Sequence, residues 1–528
     1  LALKAGSRAG WRTKPWTTLR KVVQILALLL FIVFFIASRH GGWAPALVNI
    51  PMRLDPLAAL ANLLASRSLL AGSSLAILVI LLTLAAGRVW CGWLCPLGTL
   101  IDLVPLKRAR AALASGKNAA RKLEDPPDTW RRFKYGLLVA ILAAALFSNL
   151  TLLIFDPLAI LFRSLTVSFL PAVDQAVTAA ETALYPIPWL QPVLTTLDGW
   201  MRPVILPVEP AIYRDAFLYA LIFFGVIALN LAAERFWCRY LCPLGGLLGL
   251  ISKAAIFRRK VGEECKGCVL CSRACPTGTI DPDMNYASDP SECTMCLECM
   301  EACPRRGISF PVHASFSQWN HYDPGRREAL LTFGAAIAAV ALLRSETFAK
   351  HDAPHLVRPP GARENNLLDK CIRCGECLRA CPTSGLQPAL SESGLEGLWT
   401  PILIPRLGYC DYSCNACGQI CPVEAIPTLS LEEKRLQVIG KAYIDENRCI
   451  AWADHRDCIV CEEMCPLPDK AIKLEVAQVK NADGEQVSVK LPKVNRDRCI
   501  GCGVCEYKCP LNGNAAIRVY APGDIQLS

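Results

Sequence analysis

The sequence predicts an α-helical membrane domain, a four-helix core plus a fifth helix, joined to small α+β domains organised around cysteine. Three observations predict it. The 528-residue chain is 53% hydrophobic with a mean hydropathy of +0.32, and the excess is gathered into a few long runs within the first 345 residues. The rest reads as polar and globular. Of the 28 cysteines, 24 stand in six groups of four. The net charge of +10 is unremarkable as a total, but the basic residues are unevenly placed.

Apolar runs of spanning length occupy about Val22–Ser38, Leu69–Ala86, Gly136–Phe155 and Ala216–Ala233; a spanning helix needs ~20 residues, with a lower limit of ~17. A fifth run, Ala329–Leu343, is short and alanine-rich, and reads either as a span or as a buried or interfacial helix. Basic residues set the orientation. Lys14, Arg20 and Lys21 precede the first run. The connection between the second and third carries Arg88, Lys107, Arg108, Arg110, Lys117, Arg121, Lys122, Arg131, Arg132 and Lys134. After the fourth come Arg235, Arg239, Lys253, Arg258, Arg259 and Lys260. The loops Arg39–Ser68 and Asp156–Asp215 hold only three arginines each. Both ends of the four-helix core are therefore expected in the cytoplasm. A fifth span would place everything after it outside. Arg326 and Arg327, in Gly-Arg-Arg-Glu-Ala-Leu-Leu, look like a twin-arginine export signal; read as ordinary positive-inside arginines, they give the same topology.

The cysteine groups carry the chemistry. Cys265, Cys268, Cys271, Cys275 and Cys293, Cys296, Cys299, Cys303 follow the ferredoxin run Cys-x2-Cys-x2-Cys-x3-Cys-Pro, as do Cys371, Cys374, Cys377, Cys381 and Cys499, Cys502, Cys505, Cys509. Cys410, Cys414, Cys417, Cys421 widens the first gap by one residue, and Cys449, Cys458, Cys461, Cys465 widens it further. Cysteines so close in sequence bridge one another badly but wrap a metal core well. Three thiolates from one loop take three corners of a [4Fe–4S] cube, and the fourth usually ligates the neighbouring cube. The following proline turns the chain away. Zinc knuckles would not need the third cysteine and its x3-Cys-Pro tail. Six [4Fe–4S] clusters are expected in α+β ferredoxin-like cluster domains. In the first pair, Cys265, Cys268, Cys271 and Cys303 should hold one cube and Cys293, Cys296, Cys299 and Cys275 the other. Among the last four groups, sequential and nested pairings both remain open.

The membrane half repeats itself. Val-Trp-Cys91-Gly-Trp-Leu-Cys95-Pro96-Leu-Gly follows the second run, and Phe-Trp-Cys238-Arg-Tyr-Leu-Cys242-Pro243-Leu-Gly follows the fourth. Each run is preceded in its outer loop by Asp-Pro-Leu, at Asp55 and Asp156. Matching helix pairs suggest a pseudo-two-fold arrangement that gathers Cys91, Cys95, Cys238 and Cys242 near the cytoplasmic surface. They could hold a seventh cluster, act as redox pairs, or be buried free thiols in tight turns. Asp55 and Asp156 could accept quinol protons near the outer face, or simply start turns.

Haem is disfavoured: there is no Cys-x2-Cys-His run, and none of the six histidines, His40, His313, His321, His351, His355 and His455, lies inside an apolar run. No Gly-rich nucleotide fingerprint follows a strand pattern, and nothing suggests nucleic acid.

On its two Trp-Cys-x3-Cys-Pro-Leu-Gly turns and its motifs at Cys265–Cys303, the segment from about 20 to 310 resembles the NapH-type membrane polyferredoxins of periplasmic nitrate reductase systems, with NosR and CcoG sharing the core. The segment from about 326 to 520, with its twin arginines and widened third quartet, resembles the four-cluster partner NapG. The resemblance implies a fusion of both partners that oxidises menaquinol or ubiquinol and delivers electrons to a periplasmic acceptor. The expected organisation is a membrane domain at 1–255, a cytoplasmic two-cluster domain at 256–325, a fifth helix at 326–345 and a periplasmic four-cluster domain at 346–528. The expected setting is the bacterial inner membrane, in contact with lipid and the quinone pool. The chain would serve as the electron-transfer subunit of a multisubunit quinol dehydrogenase, with a periplasmic redox protein or catalytic subunit as partner. Two rival readings are an electron wire from a cytoplasmic donor to the quinone pool or periplasm, and a redox maturation factor working through the four membrane-surface cysteines. A hydrocarbon core of ~30 Å between the two cluster sets leaves open how they communicate.

Overall fold

The computed structural model describes residues 15–39, 42–68, 71–104, 126–207, 209–312, 326–344, 356–390, 392–480 and 486–521. Lys14, the basic residues from Lys107 to Lys122, and His40, His313, His321, His351 and His355 lie outside the described residues. The chain divides into two compact units that interleave along the sequence. The first gathers Leu1–Ile32, Ile77–Tyr135 and Val226–Gly325, and the second gathers Val33–Ala76, Gly136–Gly225 and Arg326–Ser528. Four of the five changes of unit fall within or at the edge of the first four apolar runs. The fifth falls at the start of helix Arg326–Arg344.

The apolar runs form helices, several shorter than the sequence suggests. The first is Pro15–Ala37 and the second only Ser74–Ala86. The third breaks into Arg132–Leu146 and the 3₁₀ turn Thr151–Phe155, and the fourth into Ala216–Ala228 and Leu229–Leu231. Among the described residues, two helices are long and apolar enough to cross a membrane, Pro15–Ala37 and Pro157–Leu184. The second of these was expected to lie in a loop. Its apolar pattern is diluted by Arg163 and Asp174, which are buried and partnered rather than exposed. Arg163 donates to the Arg373 carbonyl at 2.9 Å, and Asp174 pairs with Arg202 at 3.3 Å.

In the first unit the duplicated motif is real structure. Each copy is a π-turn, Trp90–Leu94 or Trp237–Leu241, followed by a helix that opens on proline, Pro96–Leu103 or Pro243–Ser252. Proline suits the first helical position because its missing N–H has no helical partner there. The copies are cross-tied. Arg88 donates to the Cys238 carbonyl at 3.3 Å and Arg235 to the Cys91 carbonyl at 3.4 Å. The two-cluster region pairs strand Lys260–Val261 with Ile308–Ser309 and Ile280–Asp281 with Ala287–Ser288, both antiparallel, around Cys271, Ile280, Cys299 and Ile308. It is fastened to the helices of its own unit by carboxylates. Glu292 meets Lys134 at 2.6 Å, Arg88 at 3.3 Å and Arg131 at 3.4 Å, while Glu301 accepts from the backbone N–H groups of Trp16 and Thr17 at the start of the first helix.

The second unit holds the other four cysteine groups on three antiparallel pairs: Leu386–Pro388 with Pro401–Leu403, Lys441–Ile444 with Ile517–Tyr520, and the long hairpin Ile472–Lys480 with Gln486–Val494. Its core joins Val167 and Tyr219 from the helical segments to Val357, Leu378, Trp399 and Ile517. Neutral contacts do much of the fastening here, beside an ion pair between Arg214 and Glu392. Asn62 Nδ2 donates to the Lys370 carbonyl at 2.8 Å, the Tyr213 hydroxyl to that of Leu378 at 3.2 Å, and Gln387 Nε2 to that of Ile212 at 2.9 Å.

Candidate functional site

All 28 cysteines are unbridged. Among the described residues no three His, Cys, Asp or Glu side chains converge as a single metal ion would require. A zinc ion needs donors within ~2.3 Å of one point, whereas a cube holds its thiolates apart around a larger core. The cysteines instead line cavities. Cys265, Cys268, Cys271 and Cys303 share one, as the first pairing predicts, and Cys275 lies beside Cys293, Cys296 and Cys299.

The ambiguous four groups pair in sequence order. Cys421 lies beside Cys371, Cys374 and Cys377, and Cys381 beside Cys410, Cys414 and Cys417. Cys509 shares a cavity with Cys449, Cys458 and Cys461, and Cys465 neighbours Cys502. The four sets also follow one another in space. Cys377 neighbours Cys417, the Cys410 N–H donates to the Cys502 carbonyl at 2.8 Å, and Cys505 neighbours Cys461.

Local backbone geometry explains the ideal spacing. In each of the four ideal groups both residues flanking the second cysteine have positive φ: Gly267 and Val269, Met295 and Leu297, Arg373 and Gly375, Gly501 and Gly503. A left-handed residue costs a non-glycine side chain ~1–2 kcal/mol. Successive turns of this kind aim backbone N–H groups into an anion-binding concavity, as at other iron–sulfur sites. The two widened groups lack this feature around Cys414 and Cys458. The donor set fits cubes. Burial pushes the Cys414 and Cys421 thiols up to about 11, so thiolate would need a bound cation to persist there.

The four remaining cysteines come together. Cys91, Cys95, Cys238 and Cys242 are buried electrostatic neighbours, and burial pushes Cys238 up to about 11 and Cys242 well above the usual range. Cys95 and Cys242 cap their helices, accepting from Gly98 N at 3.5 Å and Gly245 N at 3.2 Å.

Asp55 and Asp156 also meet. Each caps a helix opening on proline. Asp55 Oδ1 accepts from Leu57 and Ala58 at 2.8 and 3.2 Å, and Asp156 Oδ2 from Leu158 and Ala159 at 2.9 Å each. The turn-starting role is therefore real. The two carboxyls are also within hydrogen-bonding reach of each other, and their remaining oxygens, Asp55 Oδ2 and Asp156 Oδ1, have no other partner. Burial raises both carboxyls, Asp156 further because Asp55 is beside it. Like charges so close disfavour ionisation of both carboxyls together.

Sequence reasoning missed the groups around this pair. Arg163, buried beside Asp156, lies 3.9 Å from the Trp399 ring and 5.4 Å from that of Tyr219. Its hydrogen bond to Arg373 reaches the backbone between Cys371 and Cys374. A lone arginine inside an apolar stretch is the signal that could have found it. Glu292 carried no such signal, being one acid among many.

Small antiparallel hairpins, short helices and paired cysteine cages define an iron–sulfur protein of ferredoxin type. The family models agree: a 4Fe-4S binding domain matches residues 68–111 and 216–262, a 4Fe-4S dicluster domain residues 285–382, and a further 4Fe-4S binding domain residues 492–512. The dicluster match spans the second and third cysteine groups, yet the structure pairs the second with the first and the third with the fourth. The methylamine utilization ferredoxin-type protein MauM of Methylorubrum extorquens is 37% identical over 212 residues, 37% of this chain and 89% of the relative. The ferredoxin-type protein NapG of Escherichia coli is 35% identical over 193 residues, 35% of this chain and 79% of the relative. Protein NirI of Paracoccus denitrificans is 31% identical over 202 residues, 37% of this chain but 22% of the relative. The chain belongs to the family of ferredoxin-type iron–sulfur proteins that contains MauM and NapG, and the expected NapG-type region is supported. No solved structure matches.

Proposed function

We propose that this electron-transfer protein is a membrane-bound subunit that oxidises quinol and relays the electrons to a periplasmic redox partner within a larger complex. The observation that carries the reading is the order of the four cysteine sets in the second unit. Each set adjoins the next from the Cys371 set to the Cys449 set, and the first lies next to the Asp55–Asp156 pair through Arg163 and Arg373. Six [4Fe–4S] clusters, one per set, would supply one-electron carriers, while quinol releases two protons as it gives up two electrons. The aspartate pair is placed to take a proton at Asp55 Oδ2 or Asp156 Oδ1, and Arg163 beside it holds the pair against the backbone of the first set. Delivery of electrons at the outer face removes the need to cross ~30 Å of hydrocarbon.

Several observations support a multi-pass inner-membrane setting, with the two-cluster region cytoplasmic and the four-cluster region periplasmic. The changes of unit along the chain match the apolar runs and the alternation of basic and non-basic connections. Apolar side chains face outward in a way a soluble protein avoids: Leu26, Leu29 and Leu30 on the first helix, Leu78 and Leu81 on the second, Phe217 and Phe224 on the fourth. Trp189 and Trp200, both exposed near the helix Gln191–Val204, suit the interfacial belt of a bilayer. The 4Fe-4S match to the two segments bearing Cys91, Cys95, Cys238 and Cys242 supports a seventh cluster there.

Quinol-dependent appearance of reduced-cluster EPR signals in the purified chain is the test. Asp55→Asn and Asp156→Asn keep a capping side chain and should each slow that reduction at least tenfold; unchanged rates would remove the pair from the mechanism. Iron near ~24 atoms per chain fits six cubes, and ~28 fits seven.

A further inference from the structure

The first unit contains a cavity of about 530 Å³ that the electron path above does not use, within the ~300–1,000 Å³ range of small-molecule sites. Ile25 and Leu103 give it an apolar side. Its other wall is the chain on either side of Cys275, through Ala274 and Pro276, together with Ala302, which precedes Cys303. Two polar side chains in the wall are under-used. Arg20 is 4% exposed; its Nη2 binds Glu298 at 2.7 Å, but Nε and Nη1 have no partner. Asn230 is 7% exposed; its Nδ2 donates to the Ile101 carbonyl at 3.1 Å, which leaves Oδ1 as an unpartnered acceptor. Buried polar groups without partners are rare and call for a missing one.

The charge of the wall narrows the ligand. Four carboxylates, Asp102, Glu234, Glu298 and Glu301, outnumber three cations, Arg20, Lys21 and Arg235. A phosphate or an anionic lipid headgroup would be repelled. The site suits a neutral ring with oxygens that accept from Arg20 in one redox form and donate to Asn230 in the other, carrying an apolar tail past Ile25.

We propose that this cavity binds the ring of a quinone or quinol, a second quinone site beside the Cys265–Cys303 cysteine pair. The proposal shares with the quinol reading only the premise that quinone meets this chain, and it gives the cytoplasmic cysteine sets their own contact with the pool.

Photolabelling the full chain in lipid nanodiscs with an azido-ubiquinone, followed by peptide mapping, tests it. The expected result is label on the peptides containing Thr17–Ile25 and Leu103–Val104, competed by decylubiquinone. Ile25→Trp, which fills the cavity, and Asn230→Leu, which removes the acceptor, should each lower that label at least fivefold at unchanged iron content. Label confined to the peptides of Asp55 and Asp156 overturns this site and leaves quinol oxidation at the outer pair intact. Label only in the cavity upholds it while removing the outer one. Label displaced by added phospholipid but not by decylubiquinone makes the occupant a lipid and overturns the proposal, and specific label nowhere overturns both readings.

Discussion

The two cysteine-bearing regions are fastened to the helices of their own units by different mixtures of charge and neutral contact. In the first unit the link is charge: one buried carboxylate, Glu292, faces Lys134, Arg88 and Arg131, and burial's upward push on it is outweighed by these cations, so it is held at about 2. In the second unit neutral hydrogen bonds are prominent, with Asn62, Tyr213 and Gln387 reaching backbone carbonyls and Arg163 stacked on Trp399, beside an ion pair of Arg214 with Glu392. Two buried carboxyls there, Asp55 and Asp156, are raised, while Glu392 beside Arg214 is lowered. The difference teaches that one module leans on a buried charge cluster and the other more on dispersed contacts.

The comparison can be broken most directly at Glu292. Glu292→Gln removes the buried negative charge that Lys134, Arg88 and Arg131 face, and loss of one partner in a buried pair costs about 3–5 kcal/mol. Iron content should fall from ~24 towards ~16 atoms per chain as the first two cubes are lost, with the other four retained; loss of all iron would show that the regions are not separately held. Arg163→Ala should act on the second unit alone and less severely. It removes a cation–π contact and a hydrogen bond, together about 2–3 kcal/mol, readable as a lower unfolding midpoint of that unit's helices and strands by hydrogen exchange.

A pH series sharpens the contrast. The aspartate pair binds protons more tightly folded than unfolded, so its contribution to stability is largest below the unfolded aspartate pKa of ~3.9 and declines as pH rises through the raised folded value. Asp55→Asn combined with Asp156→Asn should flatten that decline above the unfolded aspartate pKa of ~3.9; an unchanged slope would mean that neither carboxyl is raised. The smallest effect is expected at Val269, a β-branched residue at φ 56°. Val269→Gly should stabilise the cluster-free first unit by about 1 kcal/mol, whereas glycine at Asn415, beside Cys414 where φ is negative, should give no such gain.

Much of the site was legible because the ligand runs are local. Cys265–Cys303 declares its own exchange of fourth cysteines, since two ideal runs stand side by side. The pairing of the later four groups was not legible, because Cys421 and Cys509 find their partners through folding of the intervening hairpins, which spacing does not encode. The helix Pro157–Leu184 was hidden for a related reason: Arg163 and Asp174 look solvent-seeking until their partners, Arg373 and Arg202, are known. Asp55 and Asp156 were visible as a repeat, but that each caps a helix and lies beside the other needed the three-dimensional structure. Arg20 precedes the first apolar run and reads there only as an orienting charge, while Asn230, a polar residue inside the fourth run, gives no signal by its spacing.

The interleaving of the two units bears on how the protein is made. Everything the first unit needs has emerged by Gly325, so it can finish folding and receive its metal while synthesis continues. The second unit cannot: its segments Val33–Ala76 and Gly136–Gly225 wait for Arg326–Ser528. At ~5–20 residues per second the wait after Gly225 is ~15–60 s. During it the capping aspartates and the helix Pro157–Leu184 lack their cysteine-bearing partner. A chaperone or membrane insertase acting on this chain has its longest task there.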